Sequence, residues 1–214
     1  MEKGFCIFLI FVWLLCMTGC RTSPEAREEN TGIHSSKLPT ISSTAAPLPS
    51  ELTFSDLTGL EFWFGSGAGA WNTTVQIQSD GTFSGYYHDS EAGSIGDDYP
   101  HGTRYECYFS GTFTSLTKVD EYEYSLKCES LTMEGVVGEE KIVDNVRIIT
   151  SESYGFDNAD EFSLYLPGKK LIELPESFLG WVQINPENLD SRSDDVLTFY
   201  GLYNVGGEQG FSSY

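Results

Sequence analysis

Apolar and polar residues alternate with a period of two in short runs that begin near Thr53 and continue almost to the end of the chain. That period puts successive side chains on opposite faces, so each run predicts a half-buried β-strand. The strongest pair lies within 104–131. Tyr105, Cys107, Phe109, Gly111 and Phe113 share a face of one run; Tyr122, Tyr124, Leu126 and Cys128 share a face of the next. A turn through 115–120 that sets Phe113 opposite Tyr122 also sets Cys107 opposite Cys128. Facing β-carbons lie about 4.5–5.5 Å apart, close to what a disulfide needs, so this register predicts a Cys107–Cys128 bond rather than two buried thiols.

A second hairpin is predicted upstream. Trp71, Thr73, Val75 and Ile77 occupy one face, Ser79-Asp80-Gly81 turns the chain, and Phe83, Gly85 and Tyr87 return. A three-residue loop with Gly81 in the left-handed region sets Ile77 against Phe83 and keeps the apolar face intact; a two-residue Asp-Gly loop would not. Further strands are expected at 60–64, 142–149, 161–166 and 196–205, with 206–214 framing an edge or fraying. A helical turn is expected at 54–57, capped by Ser55 or Asp56. One short amphipathic helix is expected after Pro175, through Phe178, Leu179, Trp181 and Val182. The predicted class is mainly β, an antiparallel small barrel or sandwich with one or two short helices.

Upstream of Thr53 the pattern disappears. Lys3 precedes a charge-free apolar run over 4–17, too short for a spanning helix, with the layout of a secretory signal over 1–19. Residues 20–52 are rich in Ser, Thr, Pro, Glu and Ala, and His34 lies among them. A segment of this composition cannot offset the entropy of ordering itself; as a coil it would span about 30 Å. The sequence therefore reads as signal, tether and one domain over 53–214. The formal charge of −20 argues against nucleic acid and anionic lipid headgroups as partners.

At the end of the leader, Thr18-Gly19-Cys20 resembles the lipobox of bacterial lipoproteins, with Met17 where leucine is more usual. The resemblance implies a diacylglycerol thioether on Cys20 and an anchor on the outer face of the bacterial cytoplasmic membrane, where oxidising conditions permit disulfides. Leu57-Thr58-Gly59, Trp63 and the hairpin from Trp71 to Tyr87 resemble the opening of lipocalin-like domains, which implies a barrel. The strings Trp71-Asn72-Thr73, Asp80-Gly81-Thr82-Phe83-Ser84-Gly85 and Tyr99-Pro100 resemble a group of uncharacterised lipoproteins of Gram-positive gut anaerobes. That resemblance spans most of the chain after the tether and implies location without an activity.

Candidate chemistry is sparse. The glycines of 65–69 lack the Gly-Lys-Ser/Thr and following helix of a phosphate loop, and Asn72-Thr73-Thr74 is a chance glycosylation sequon on a strand. The polar stretch 88–102 carries Asp89, Glu91, Asp97 and Asp98, which could approach Ca²⁺ but match no calcium-loop spacing, so a solvated acidic loop is expected. His88 and His101 stand in no Ser, Cys or zinc motif. No cofactor or metal set is assigned. The expected function is a non-enzymatic binding or interaction module in which Tyr86, Tyr87, Tyr99 or Tyr108 stacks on a glycan or peptide. A carrier of a small apolar ligand inside the barrel is the alternative, and a glycan hydrolase a weaker one, since two carboxylates can be imagined anywhere in so acidic a chain.

Overall fold

A computed structural model describes residues 51–189 and 194–213. The predicted leader, lipidation at Cys20 and His34 lie outside these residues. The chain divides into units 1–46 and 47–214, and the second carries every described element. Leu52, assigned to the tether by sequence, is buried, and its N–H donates to the Tyr124 hydroxyl.

Ten strands form one sheet: β1 (Glu61–Gly65), β2 (Trp71–Ile77), β3 (Thr82–Glu91), β4 (Thr103–Lys118), β5 (Glu123–Met133), β6 (Glu140–Val143), β7 (Val146–Thr150), β8 (Glu161–Tyr165), β9 (Gly201–Asn204) and β10 (Gln209–Ser213). The order β3-β2-β1-β10-β9-β8-β5-β4, closed by β3 on β4, makes an eight-stranded antiparallel ring. Apart from the inserted β6–β7 hairpin it is an up-and-down barrel, so barrel rather than sandwich is the outcome. β4 carries the insertion. On the edge it shares with β5, its second half pairs with β5 from Phe109 to Lys118, and its first four residues pair in parallel with β7.

The β2–β3 hairpin has the predicted register, Ile77 opposite Phe83 and Val75 opposite Gly85, with Gly81 at φ +86°. The β4–β5 hairpin does not. Its turn lies at 119–122, Phe113 faces Cys128, Phe109 faces Met133, and Cys107 faces Tyr87 on β3. Cys107 and Cys128 are separate buried free thiols, so the predicted disulfide is absent. Both cysteines do belong to the inner face. Register shifts at Thr112/Phe113 and Thr114/Thr117 let β4 run past the point where strict alternation placed the turn. Burial pushes the Cys107 thiol up to about 11, with the Glu134 charge adding to the effect.

Other boundaries also moved. The single strand expected over 142–149 is the β6–β7 hairpin, turned by Asp144 and Asn145 at positive φ. The last predicted strand is reduced to β9, and the tail is β10, which closes the ring by pairing Phe62 with Ser213. The turn Phe54–Leu57 is capped by Thr53, with Asp56 as the reciprocal partner rather than the cap, and Leu57 seals one end of the barrel.

Strands alone do not fill the interior. Residues 151–160, which read as a polar turn-rich loop, dip into the other end. Phe156 is 4% exposed and lies 4.9–5.8 Å, ring centre to ring centre, from Phe83, Phe109, Phe162 and Phe211. Tyr154 packs above it against Phe64, Trp71 and Tyr87. The loop's carbonyls are satisfied by inward-facing polar groups: Thr73 Oγ1 donates to Tyr154 O at 2.6 Å, and Asn204 Nδ2 donates to Gly155 O and Asp157 O. These bonds explain two buried polar residues in an apolar wall, since a buried backbone carbonyl without a donor is costly.

Outside the ring, the β8–β9 connection carries the helix α1 (Glu176–Trp181) at the predicted place. Phe178 packs on Tyr165 and Tyr203 to form a second, smaller core. The base of this connection is pinned by the buried Lys169, whose Nζ lies 2.6 Å from Asp120, 3.0 Å from Glu123 and 3.5 Å from Glu173.

Candidate functional site

Alternation along β1 turns Phe62 and Phe64 into the barrel and Trp63 out of it. Gly65 follows two residues later on the same face, and a β-carbon there would collide with the Trp63 indole, so the ring lies back along its own strand. From the other side, α1 brings Trp181 to the barrel rim. Its ring meets Phe64 edge-on at 4.6 Å, and its Nε1–H donates to Glu208 O at 2.9 Å. One edge of the indole is thus fixed by the core and the other by a backbone carbonyl.

Between the two indoles lies a cleft of about 340 Å³, lined also by Glu61, Gly67, Val182, Gln183 and Ser212. Gln183 stands just past α1 at φ +62°, a backbone region that ordinary side chains seldom adopt. Its amide lies so close to Gly67 that any side chain at that glycine would displace it. Glu61 is held by the Gln76 amide, which donates to it at 3.0 Å. The cleft therefore combines two apolar ring planes with a positioned carboxylate and a positioned amide. Indole faces suit the C–H face of a pyranose, and the carboxylate and amide suit its hydroxyls.

The tyrosines singled out by sequence are scattered. Tyr86 and Tyr108 meet on the outer face of β3 and β4, 4.5 Å apart, and His88 continues the row while contacting Asn72. Glu106 lies beside them, 3.2 Å from Arg104 and 3.7 Å from Lys141. Burial, then the Glu106 charge, raises the Tyr86 hydroxyl to about 12. Tyr87 faces the core. Tyr99 sits in the 92–102 loop with Arg147 4.7 Å above its ring, and His101 contacts the Asp144 carbonyl. Among the described residues, no group of three or more His, Cys, Asp or Glu converges as a metal site, and the acidic loop is organised by Arg147 bonds to Thr103 and Ser94.

Sequence reasoning missed the cleft because its rings come from residues 118 positions apart, Trp63 and Trp181. The available signal was local: Trp63 stands out of phase with its buried neighbours, on the polar face of a strand. Neither a family model, a curated protein nor a solved structure matches the chain.

Proposed function

We propose that this chain is a lipid-anchored extracytoplasmic module, held through Cys20 on the outer face of the bacterial cytoplasmic membrane, that binds a neutral glycan without turning it over. The carrying observation is the cleft between Trp63 and Trp181, with Glu61 and Gln183 fixed beside it. The occupied interior supports an external site: Phe156 and Tyr154 lie where a carrier would hold its ligand. The reading rests on no catalytic constellation. Among the described residues the most buried carboxylate, Glu106, is paired with two cations on a different face.

The test is a glycan array probed with the intact protein, followed by titration of hits against tryptophan fluorescence. Trp63→Ala is expected to weaken binding at least about tenfold, roughly 1.4 kcal/mol, and Gln183→Ala severalfold. Tyr108→Ala on the opposite patch should leave it unchanged. Equal affinity in the Trp63→Ala protein would remove the cleft from consideration, and release of reducing ends from a bound glycan would replace binding with hydrolysis. Anchoring is tested separately by palmitate labelling, which should vanish in Cys20→Ser.

A further inference from the structure

Ring closure removes free strand edges from the barrel, but the inserted hairpin restores one. The sheet ends at β6, which pairs only with β7 among the described strands. Asp144 and Asn145, at φ 51° and 65°, form the two-residue loop of a tight hairpin, so Val143 and Val146 are the first hydrogen-bonded pair. The Thr150 N–H bond to Glu139 O at 2.9 Å keeps that phase. Alternate residues then point their backbone groups the other way, and the N–H and C=O of Glu140 and Ile142 face the open side.

Proteins usually blunt such an edge with proline, a bulge or a charge. β6 has no proline and no register shift, and its one basic side chain, Lys141, turns toward Glu106. Its flank is apolar: Ile142 is 50% exposed, and Val136 on the preceding loop is 71% exposed. Carboxylates surround that strip, from Glu139 and Glu140 to Asp144 at the turn. Arg147, the nearby guanidinium, bonds Thr103 and Ser94 and reaches Glu140 only at 4.0 Å, which leaves that carboxylate 54% exposed and the others without it.

We propose that the β6 edge is a docking site for an extended partner segment with alternating apolar and basic residues, added to the sheet as an extra strand. Backbone groups supply the direction, the valine and isoleucine side chains supply contact, and the carboxylates select basic residues. A second copy of this chain fits poorly. Antiparallel self-pairing would set the Glu139–Glu140 end of each β6 against the Asp144 end of the other copy, acid against acid, between two chains of formal charge −20.

The experiment is fluorescence polarisation of the intact protein with a labelled (Lys-Val)₅ peptide. Controls are (Glu-Val)₅ and a block peptide of five lysines then five valines. Binding is expected for the alternating basic peptide, weakened by salt, with both controls at least tenfold weaker. Ile142→Pro deletes an N–H that β7 does not use and should lower affinity at least tenfold. Glu139→Lys/Glu140→Lys should do the same, and decides the matter if the proline variant loses its circular dichroism. Unchanged affinity in the folded variants, equal binding of the block peptide, or sedimentation as a dimer that excludes the peptide would overturn the proposal.

Discussion

Replacing Phe156 by alanine tests whether the 151–160 loop is part of the barrel core or merely rests on it. The ring is 4% exposed and touches aromatic side chains on several strands. Returning a buried phenylalanine to water costs about 1.5–3 kcal/mol. A partly collapsed void of roughly 40–80 Å³ adds about 1–2 kcal/mol at ~24 cal/mol per Å³. The sum, about 3–5 kcal/mol, corresponds to a fall in Tm of roughly 6–20 °C for a domain of this size. Equilibrium urea unfolding followed by tryptophan fluorescence measures it, since Trp71 lies 5.1 Å from Tyr154 on the same loop. Phe156→Leu, which refills most of the space, should cost less than about 1.5 kcal/mol. A loss within ~0.5 kcal/mol for the alanine variant is what a surface residue gives, and would refute the description of this loop as core.

Lys169→Met should cost about 1–2 kcal/mol, a figure kept small because Asp120 and Glu173 are half-exposed. Burial opposes the charges of both Lys169 and Asp120, but their mutual hydrogen bond, aided by Glu123 for the lysine and the Tyr122 N–H for the aspartate, raises the former and lowers the latter. The aspartate contribution is complete above about pH 4 and fades as pH falls through its lowered value; the lysine contribution is complete below about pH 10 and fades as pH rises through its raised value. Urea melts of both proteins across pH should therefore show a constant gap between these limits and a shrinking one beyond them. Iodoacetamide followed by peptide mapping should label Cys107 and Cys128 only after denaturation, and finding them linked in the native protein would restore the disulfide. Gly81→Ala should lose about 1–3 kcal/mol in the same unfolding assay, because its φ is +86° and a β-carbon would meet Phe113 O and the Phe54 ring.

What could be read from sequence was what neighbouring residues decide. The Ile77–Phe83 register followed from the three-residue loop Ser79-Asp80-Gly81 with Gly81 left-handed, the local choice that keeps the apolar face intact. The Cys107–Cys128 pairing failed because period-two alternation fixes a face but not a register, and several registers keep both cysteines inward. Bulges after Thr112 chose among them. The Asp144-Asn145 pair was itself a turn signal, hidden because alternation continues on both sides of it. Phe156 was unreadable for another reason. Its burial comes from Asn204 and Thr73, distant in the chain, accepting its loop into the barrel. The Trp63–Trp181 cleft was likewise invisible until closure brought β10, and α1 upon it, beside β1.

That closure has a temporal side. Phe62 is among the first residues of the domain and Ser213 among the last described, yet they are direct neighbours. A chain emerging from the ribosome in order can form the β2–β3 hairpin early, but it cannot join the ends of the ring until β10 has been made. Until then, the edges of β1 and β9 stay open and Phe211 is missing from the wall that contains Phe156. Closure of the ring must therefore wait until β10 has been synthesised, which leaves an interval in which a chaperone could hold the chain unfolded.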